Sequence, residues 1–191
     1  MVELGTGKSV YLVSMAENLK TTKYNDGTSI PQVSDATAWS NLFTGATCDY
    51  DNLPGNGSSY GKLYNWYAVY DSRNVCPTGW HVPNWGDWTS LADILGGDAV
   101  AGCKLKEIGI AHWNTPNAGA TNETGFTALP GGGREASGSF TFMGRSGHWW
   151  SSTSYSYDRA YARGLASDDC AFFILNPYNK REGYSVRCIK D

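Results

Sequence analysis

Three histidines, His81, His112 and His148, each adjoin a tryptophan, and imidazole nitrogens can ligate metals or shuttle protons. Their scatter along the chain and their aromatic neighbours fit satisfied core groups better than a ligand triad. Asp49, Asp51 and Asn52 offer the hard oxygens that calcium takes. Their spacing matches no EF-hand loop, and turn chemistry explains Asx residues at least as well. Gly5-Thr-Gly-Lys8-Ser9 imitates a phosphate loop, but the full pattern needs a glycine at position 2, which holds Val2. The triple glycine Gly131–Gly133 leads into no convincing helix, so it reads as close backbone packing rather than a phosphate cradle. Ser151 and Ser152 sit in no nucleophile elbow, and Cys48, Cys76, Cys103, Cys170 and Cys188 form no CxxC pair. These residues make no positive case for an enzyme, a bound metal or a cofactor.

The stretch from Ser151 to Cys188 stands apart. Trp149-Trp150-Ser-Ser-Thr before it and Gly183-Tyr-Ser-Val-Arg-Cys188 at its end have the aromatic, alternating character of buried strands. Between them Ala162, Gly164, Ala166, Ser167, Asp168, Asp169, Ala171, Phe172, Phe173, Ile174, Leu175 and Pro177 follow neither a period of 2 nor one of 3.6. Thr153 to Asn179 also lacks Glu, Lys, Gln, Met and Trp, all used elsewhere in the chain. Those residues are the ones that cannot arise from an AAY codon by changing its adenines.

The elements that must hold this stretch are short. With 23 Gly, 8 Trp and 12 Tyr against 17% charged residues, the chain reads as loop-rich, with aromatic side chains filling its core. Its 191 residues suit one domain, and its net charge of -3 argues against a nucleic-acid surface. No window is apolar enough to span a membrane. The start, MVELGTGKSV, lacks signal-peptide order, which leaves a mature fragment with an added Met or export by another route.

A hairpin is expected at residues 1–15, turning at Gly5-Thr-Gly with Ser9–Val13 as a strand, then a strand over Met15–Tyr24. Asp35 is placed to cap a helix carrying Trp39 and Leu42 inward. Residues 45–59 read as loop, and 60–70 fits a helix (Leu63, Trp66, Tyr67, Tyr70) or a strand, with a lean to helix. Cys76–Pro83 should hold a short buried strand. Asn84 and Asp87 form a capping box for a helix with Trp85, Trp88, Leu91, Ala92 and Leu95 inward, ended by Gly96-Gly97. Strands are expected at Phe126–Leu129, Phe140–Met143 and Gly147–Ser152.

The strings MAENLKTTKYNDGTSIP, YGKLYNWYAV, CPTGWHVP, AGCKLKE, GATNETGFTALPGGGR, GHWWSST and GYSVRC, in this order, resemble the Fibrobacter succinogenes major paralogous domain. The resemblance covers about Met15 to Asp191. It implies an α+β, C-type-lectin-like fold of the formylglycine-generating-enzyme branch, with two helices, small antiparallel sheets and long ordered loops. It also implies that Cys76 and Cys188 lie close together. Some members of the family look like variable proteins of diversity-generating retroelements, in which AAY codons near the gene's end are rewritten.

On that resemblance the chain is one domain, 1–191, with a variable segment at 155–178. Its ligand-binding residues would be Ala162, Gly164, Ala166, Ser167, Asp168, Asp169, Ala171, Phe173, Ile174, Leu175 and Pro177, with Arg163 and Leu165 fixed between them. An exposed Phe172–Leu175 cluster with a polar rim would face a protein or glycan on another cell or virion, placing the protein outside the cell or on a surface. The alternative is a structural module of a surface adhesin. Calcium-dependent sugar binding is not implied, because the EPN or QPD triplet is absent and Trp113-Asn114-Thr115 only approximates WND. A reactive cysteine pair is not implied either, with Cys170 in the variable segment and Cys188 closing a strand.

Overall fold

A computed structural model describes residues 2–4, 12–174 and 177–191. The Gly5-Thr-Gly turn, the phosphate-loop look-alike ending at Ser9, and Leu175 lie outside the described residues. Strands β1 (Val2–Leu4) and β2 (Leu12–Ser14) pair antiparallel as the expected hairpin. Met15 to Tyr24, expected as a strand, is irregular but for one bridge at Lys23. Asp35 caps helix α1 (Ala36–Ser40) by accepting from Ala38 N at 2.7 Å, and Trp39 is fully buried.

Residues 45–59 are not the loop that their Gly and Asn content suggested. They hold strand β3 (Thr47–Cys48), a 3-10 turn at Tyr50–Asn52 and helix α2 (Pro54–Tyr60). Propensity opposes a helix of sequence PGNGSSY. Pro54 in its first turn presets the backbone, and Asn56 Nδ2 ties it to Tyr50 O at 3.0 Å. The aromatic run at 60–70 divides into strand β4 (Leu63–Asn65) and helix α3 (Trp66–Val69), Asn65 accepting from Ala68 N at 3.1 Å.

Strand β5 (Trp80–His81) precedes helix α4 (Trp85–Ile94), where the capping box of Asn84 and Asp87 forms as expected. Gly96 and Gly97 then take left-handed conformations and admit helix α5 (Asp98–Leu105), which was not expected. Phe126–Leu129 contributes only a bridge from Ala128 to Lys106, and the strand falls instead on the glycines, β6 (Gly131–Arg134). A Cβ on Gly132 would lie 2.4 Å from Thr141 O, so close approach does require glycine there. The chain continues through β7 (Phe140–Met143), β8 (Ser146–Ser154), β9 (Arg159–Ala166), β10 (Phe173–Ile174), β11 (Tyr178–Asn179), β12 (Gly183–Tyr184) and β13 (Ile189–Lys190).

The result is an α+β fold with five short α-helices among the described residues, rather than two. One sheet runs β1-β2-β13-β5, joining the two ends of the chain. The other runs β10-β9-β8-β6-β12-β4-β3, with β11 also on β9 and β7 on β6. Among the described residues the named strands pair antiparallel, except β6 with β8. Helices α4 and α5 pack Trp88, Leu91, Leu95 and Leu105 against Trp149, Leu165 and Phe172. No helix among the described residues is long and apolar enough to cross a membrane.

Cys76 and Cys188 are bridged, in agreement with the family resemblance, and Cys103 is bridged to Cys170. Cys48 is the free cysteine; it is fully buried, and burial pushes its thiol up to about 12. Cationic side chains fill much of the remaining interior. Arg134 donates to Gly138 O, Val33 O and Ser34 O at 2.9, 2.7 and 2.8 Å. Arg187 donates through Nε and Nη2 to Asn18 Oδ1 at 3.1 and 2.7 Å and through Nη1 to Phe126 O. Trp149 Nε1 donates to the same Asn18 oxygen at 2.8 Å. Burial pulls the Arg187 pKa down to about 9, which still leaves the guanidinium charged at neutral pH.

Asn18→Ala removes the one side-chain acceptor that a fully buried guanidinium has among the described residues. It should lower unfolding stability by about 3–5 kcal/mol in urea titrations; a change under about 1 kcal/mol would show that Arg187 is satisfied without it. Ellman titration should find no reactive thiol in the native protein and one after denaturation without reductant. Two or more thiols in the native state would mean that a bridge is open.

Candidate functional site

Strand β9 organises the segment singled out in the sequence. It lies between β8 on one edge and β10 and β11 on the other. Residues on alternate sides of it meet different surroundings. Tyr161, Arg163 and Leu165 turn toward the α4–α5 side: Arg163 lies over the Trp85 and Phe172 rings, and Leu165 packs with Trp88 and Trp149. Ala160 and Ala162 turn the other way, into the cluster around Trp150, Tyr184 and Tyr64. A strand covered on both faces shows no alternation, which is why this stretch looked aperiodic.

The expectation that the nominated residues are all displayed is corrected. Ala162 is fully buried opposite Trp150, where only a small side chain leaves room for the indole. Gly164 is buried between His148 on β8 and Phe173 on β10. Ser167 is buried, held by backbone bonds to Arg145 and Ala118. Phe172, expected in an exposed cluster, is 1% exposed and packs edge-on against Trp88. Ala166, Ala171, Phe173 and Pro177 are half-buried, while Asp168, Asp169 and Ile174 are exposed. Among the described residues, the exposed part of the nominated set is therefore the 168–169 turn and the tip of β10.

The backbone beneath that surface is clamped. Lys106, fully buried, donates to Ala118 O, Ala166 O and Asp169 O at 2.9, 3.0 and 2.8 Å, and burial lowers its pKa. The Cys103–Cys170 bridge fastens the same turn to α5. At Gly102 a Cβ would lie 2.7 Å from the carbonyl oxygens of Cys170 and Ala171, so the turn rests directly on the helix backbone. Lys180 stacks over Trp66 and donates to Ser156 O and Tyr157 O at 2.9 and 3.1 Å, fixing the β8–β9 turn.

Sequence reasoning passed over the aromatic members of this surface. Tyr157 is 91% exposed and Tyr155 58%. Tyr155 meets Tyr161 edge-on at 5.4 Å, and Tyr161 meets Trp85 at 4.7 Å. Ile174 pairs with Arg163, the residue beneath Trp85, so Tyr155, Tyr161, Trp85 and Ile174 border one another. The available signal was Ser154-Tyr-Ser-Tyr-Asp158, aromatics embedded in turn formers.

A cavity of about 320 Å³ opens beside β8, lined by Glu135, Phe142, His148, Tyr178, Glu182 and Tyr184 among others. Tyr178 and Tyr184 stand edge-on at 5.1 Å, and His148 lies 5.0 Å from Tyr184. Tyr184 donates its hydroxyl to Glu182 Oε2 at 2.6 Å. Burial raises the Glu182 carboxyl above its ordinary value, and Glu135 adds to the rise. Burial also pushes His148 down to about 4, so its ring is neutral at neutral pH. Its Nδ1 is buried without a protein partner.

The three histidines do not converge. His81 contacts Asp191 and Asp87, His112 contacts Glu107, and His148 lines the cavity. Asp49 is buried, and its carboxylate accepts from Lys62 Nζ at 2.7 Å and Gln32 Nε2 at 3.1 Å. Among the described residues no group of three or more His, Cys, Asp or Glu is arranged to hold a metal. Ser151 is fully buried, its hydroxyl accepting from Thr153 N at 3.1 Å.

Searches of curated proteins and of solved structures return no match for this chain. The model of one family does match, from Leu12 to Lys190, which takes in every described strand but β1, both bridges and the β9 surface. The chain belongs to the Fibrobacter succinogenes major domain family.

Proposed function

We propose that this chain is a binding module, C-type-lectin-like in architecture, which presents the surface of segment 155–178 to a protein or glycan on another cell or virion. The observation that carries the reading is a set of exposed aromatic and apolar side chains on backbone that cannot easily move. Tyr155 and Tyr157 project from the β8–β9 turn fixed by Lys180, and Ile174 from the tip of β10, paired to β9. Rigid aromatic anchors on a pre-ordered scaffold lose little entropy on binding. Asp168 and Asp169 are exposed at the opposite end of β9, past Ala166, and add a polar margin there. Short, mostly antiparallel strands, helices α1 and α4 and long ordered loops support the lectin-like reading. Two disulfides support an oxidising, extracellular setting.

Retroelement diversification fits only part of the segment. Changes at Asp168, Asp169 and Ile174 meet solvent, whereas a larger residue at Ala162 meets Trp150. A near-copy of the gene's end, carrying adenines at the codons for the exposed residues and lying near a reverse transcriptase, would support diversification. Its absence from the locus would remove that part of the proposal and leave the binding surface.

Tyr157→Ser and Ile174→Ser should each shift unfolding stability by no more than about 0.5 kcal/mol. Phe172→Ala should cost about 3–5 kcal/mol. In glycan and surface-protein binding arrays, the combined Tyr155→Ser, Tyr157→Ser, Ile174→Ser variant should lose the ligand that the wild type retains. Retention of that ligand at unchanged affinity would place the binding surface elsewhere.

A further inference from the structure

The cavity beside β8 is lined by none of Tyr155, Tyr157 and Ile174, though it takes Tyr178 from the same segment, and its chemistry selects a ligand class of its own. We propose that it is a subsite for an organic cation, an alkylammonium or guanidinium group, held between aromatic rings and two carboxylates. The inference does not depend on segment 155–178 contacting a partner.

The rings come first. Tyr178 and Tyr184 stand nearly perpendicular, at 86°, and His148 lies within 6.4 Å of Phe142, Tyr178 and Tyr184. A cation is attracted to the π-electron density on ring faces, and four rings line this one hollow. Phe142 is half-exposed and reaches this position with a left-handed backbone (φ 67), a conformation that bulky residues rarely adopt. It lies across the β6–β7 pairing from Gly132, itself left-handed, so the glycine allows the distorted pairing that presents the ring.

The charges point the same way. Glu135 and Glu182 line the cavity, and no lysine or arginine does among the described residues. Glu182 is faced by Glu135, Tyr178, Tyr184 and, from farther off, Arg159; His148 lies beyond Tyr184. A carboxyl kept partly out of water is costly to ionise alone, and a bound cation removes that cost. A phosphate or carboxylate ligand would instead meet two like charges. A neutral apolar ligand would bury Glu182 further without a counter-charge. The volume, about 320 Å³, is at the small end of ligand sites, roughly 300–1,000 Å³, and suits one side-chain-sized group.

The test is a titration of isotopically labelled protein with n-butylammonium and with N-acetyl-arginine amide, followed by NMR, with n-pentanol as the neutral control. The two cations separate an amine preference from a guanidinium preference. Saturable shifts are expected at residues 135–148 and 178–184 with at least one cation and not with n-pentanol. Glu182→Gln should weaken the binding by about tenfold, a loss of roughly 1.4 kcal/mol. Glu135→Gln, at an exposed position, should weaken it several-fold and serves if Glu182→Gln disturbs the fold. Binding should be tighter near pH 7 than near pH 4, because Glu182 must ionise and His148 gains charge at the lower value. The Ile174→Ser variant should bind the cation as the wild type does, which separates this site from the exposed surface. Equal response to n-pentanol, shifts that never saturate, or unchanged affinity in both glutamine variants would overturn the proposal.

Discussion

A chain that runs through long stretches without helix or ladder leaves carbonyl oxygens that no regular element serves, and each must still find a donor. Lysine and arginine carry that task here. Lys106 gathers three carbonyls from two separate loops, and Arg134 gathers three from the turns at residues 33–34 and 138. Lys180 takes two from the β8–β9 turn, and Arg187 joins Phe126 to Asn18. These side chains have several donors and no acceptor, so one residue can satisfy many orphan oxygens without creating a new unmet need. Taking their charge out of water is expensive. Tryptophan and phenylalanine rings beneath Arg134, Arg187 and Lys180 offset part of that cost.

The same device explains why a low-charge sequence supports so irregular a fold. The charged residues are few, and several of the cations are internal fasteners rather than surface groups. Each ties segments far apart in sequence, as Arg187 does with Asn18, 169 positions away. Removing one fastener therefore releases a loop and leaves carbonyl oxygens without a donor at once. The bridge from Cys103 to Cys170 and the contact at Gly102 repeat this logic without charge, holding the 168–171 turn against α5.

Much of this was legible in the sequence where the signal is local. The caps at Asp35 and Asn84, the glycine stop at 96–97 and the strands β7 and β8 follow from side-chain chemistry within a few residues. What stayed hidden is set by distant contacts. The PGNGSSY helix has poor propensity and persists through its ties to Tyr50, and Met15–Tyr24 runs irregularly while its Asn18 serves Arg187 and Trp149. The aperiodicity around β9 was visible, but its cause is burial on two faces rather than display. The cavity could not be foreseen, since Glu135, His148, Tyr178 and Glu182 meet only through pairing of β6, β8, β9 and β12.

One further property follows from where the Cys76–Cys188 bridge falls. Cys188 directly precedes β13, the strand that zips against β2 and β5 at the end of the chain. A pull applied beyond β13 can peel that strand away only as far as Cys188, where it meets a covalent tie to the loop ahead of β5. Traction from that side is thus carried across the bond into the body of the domain, and the scaffold under the exposed face keeps its shape under load.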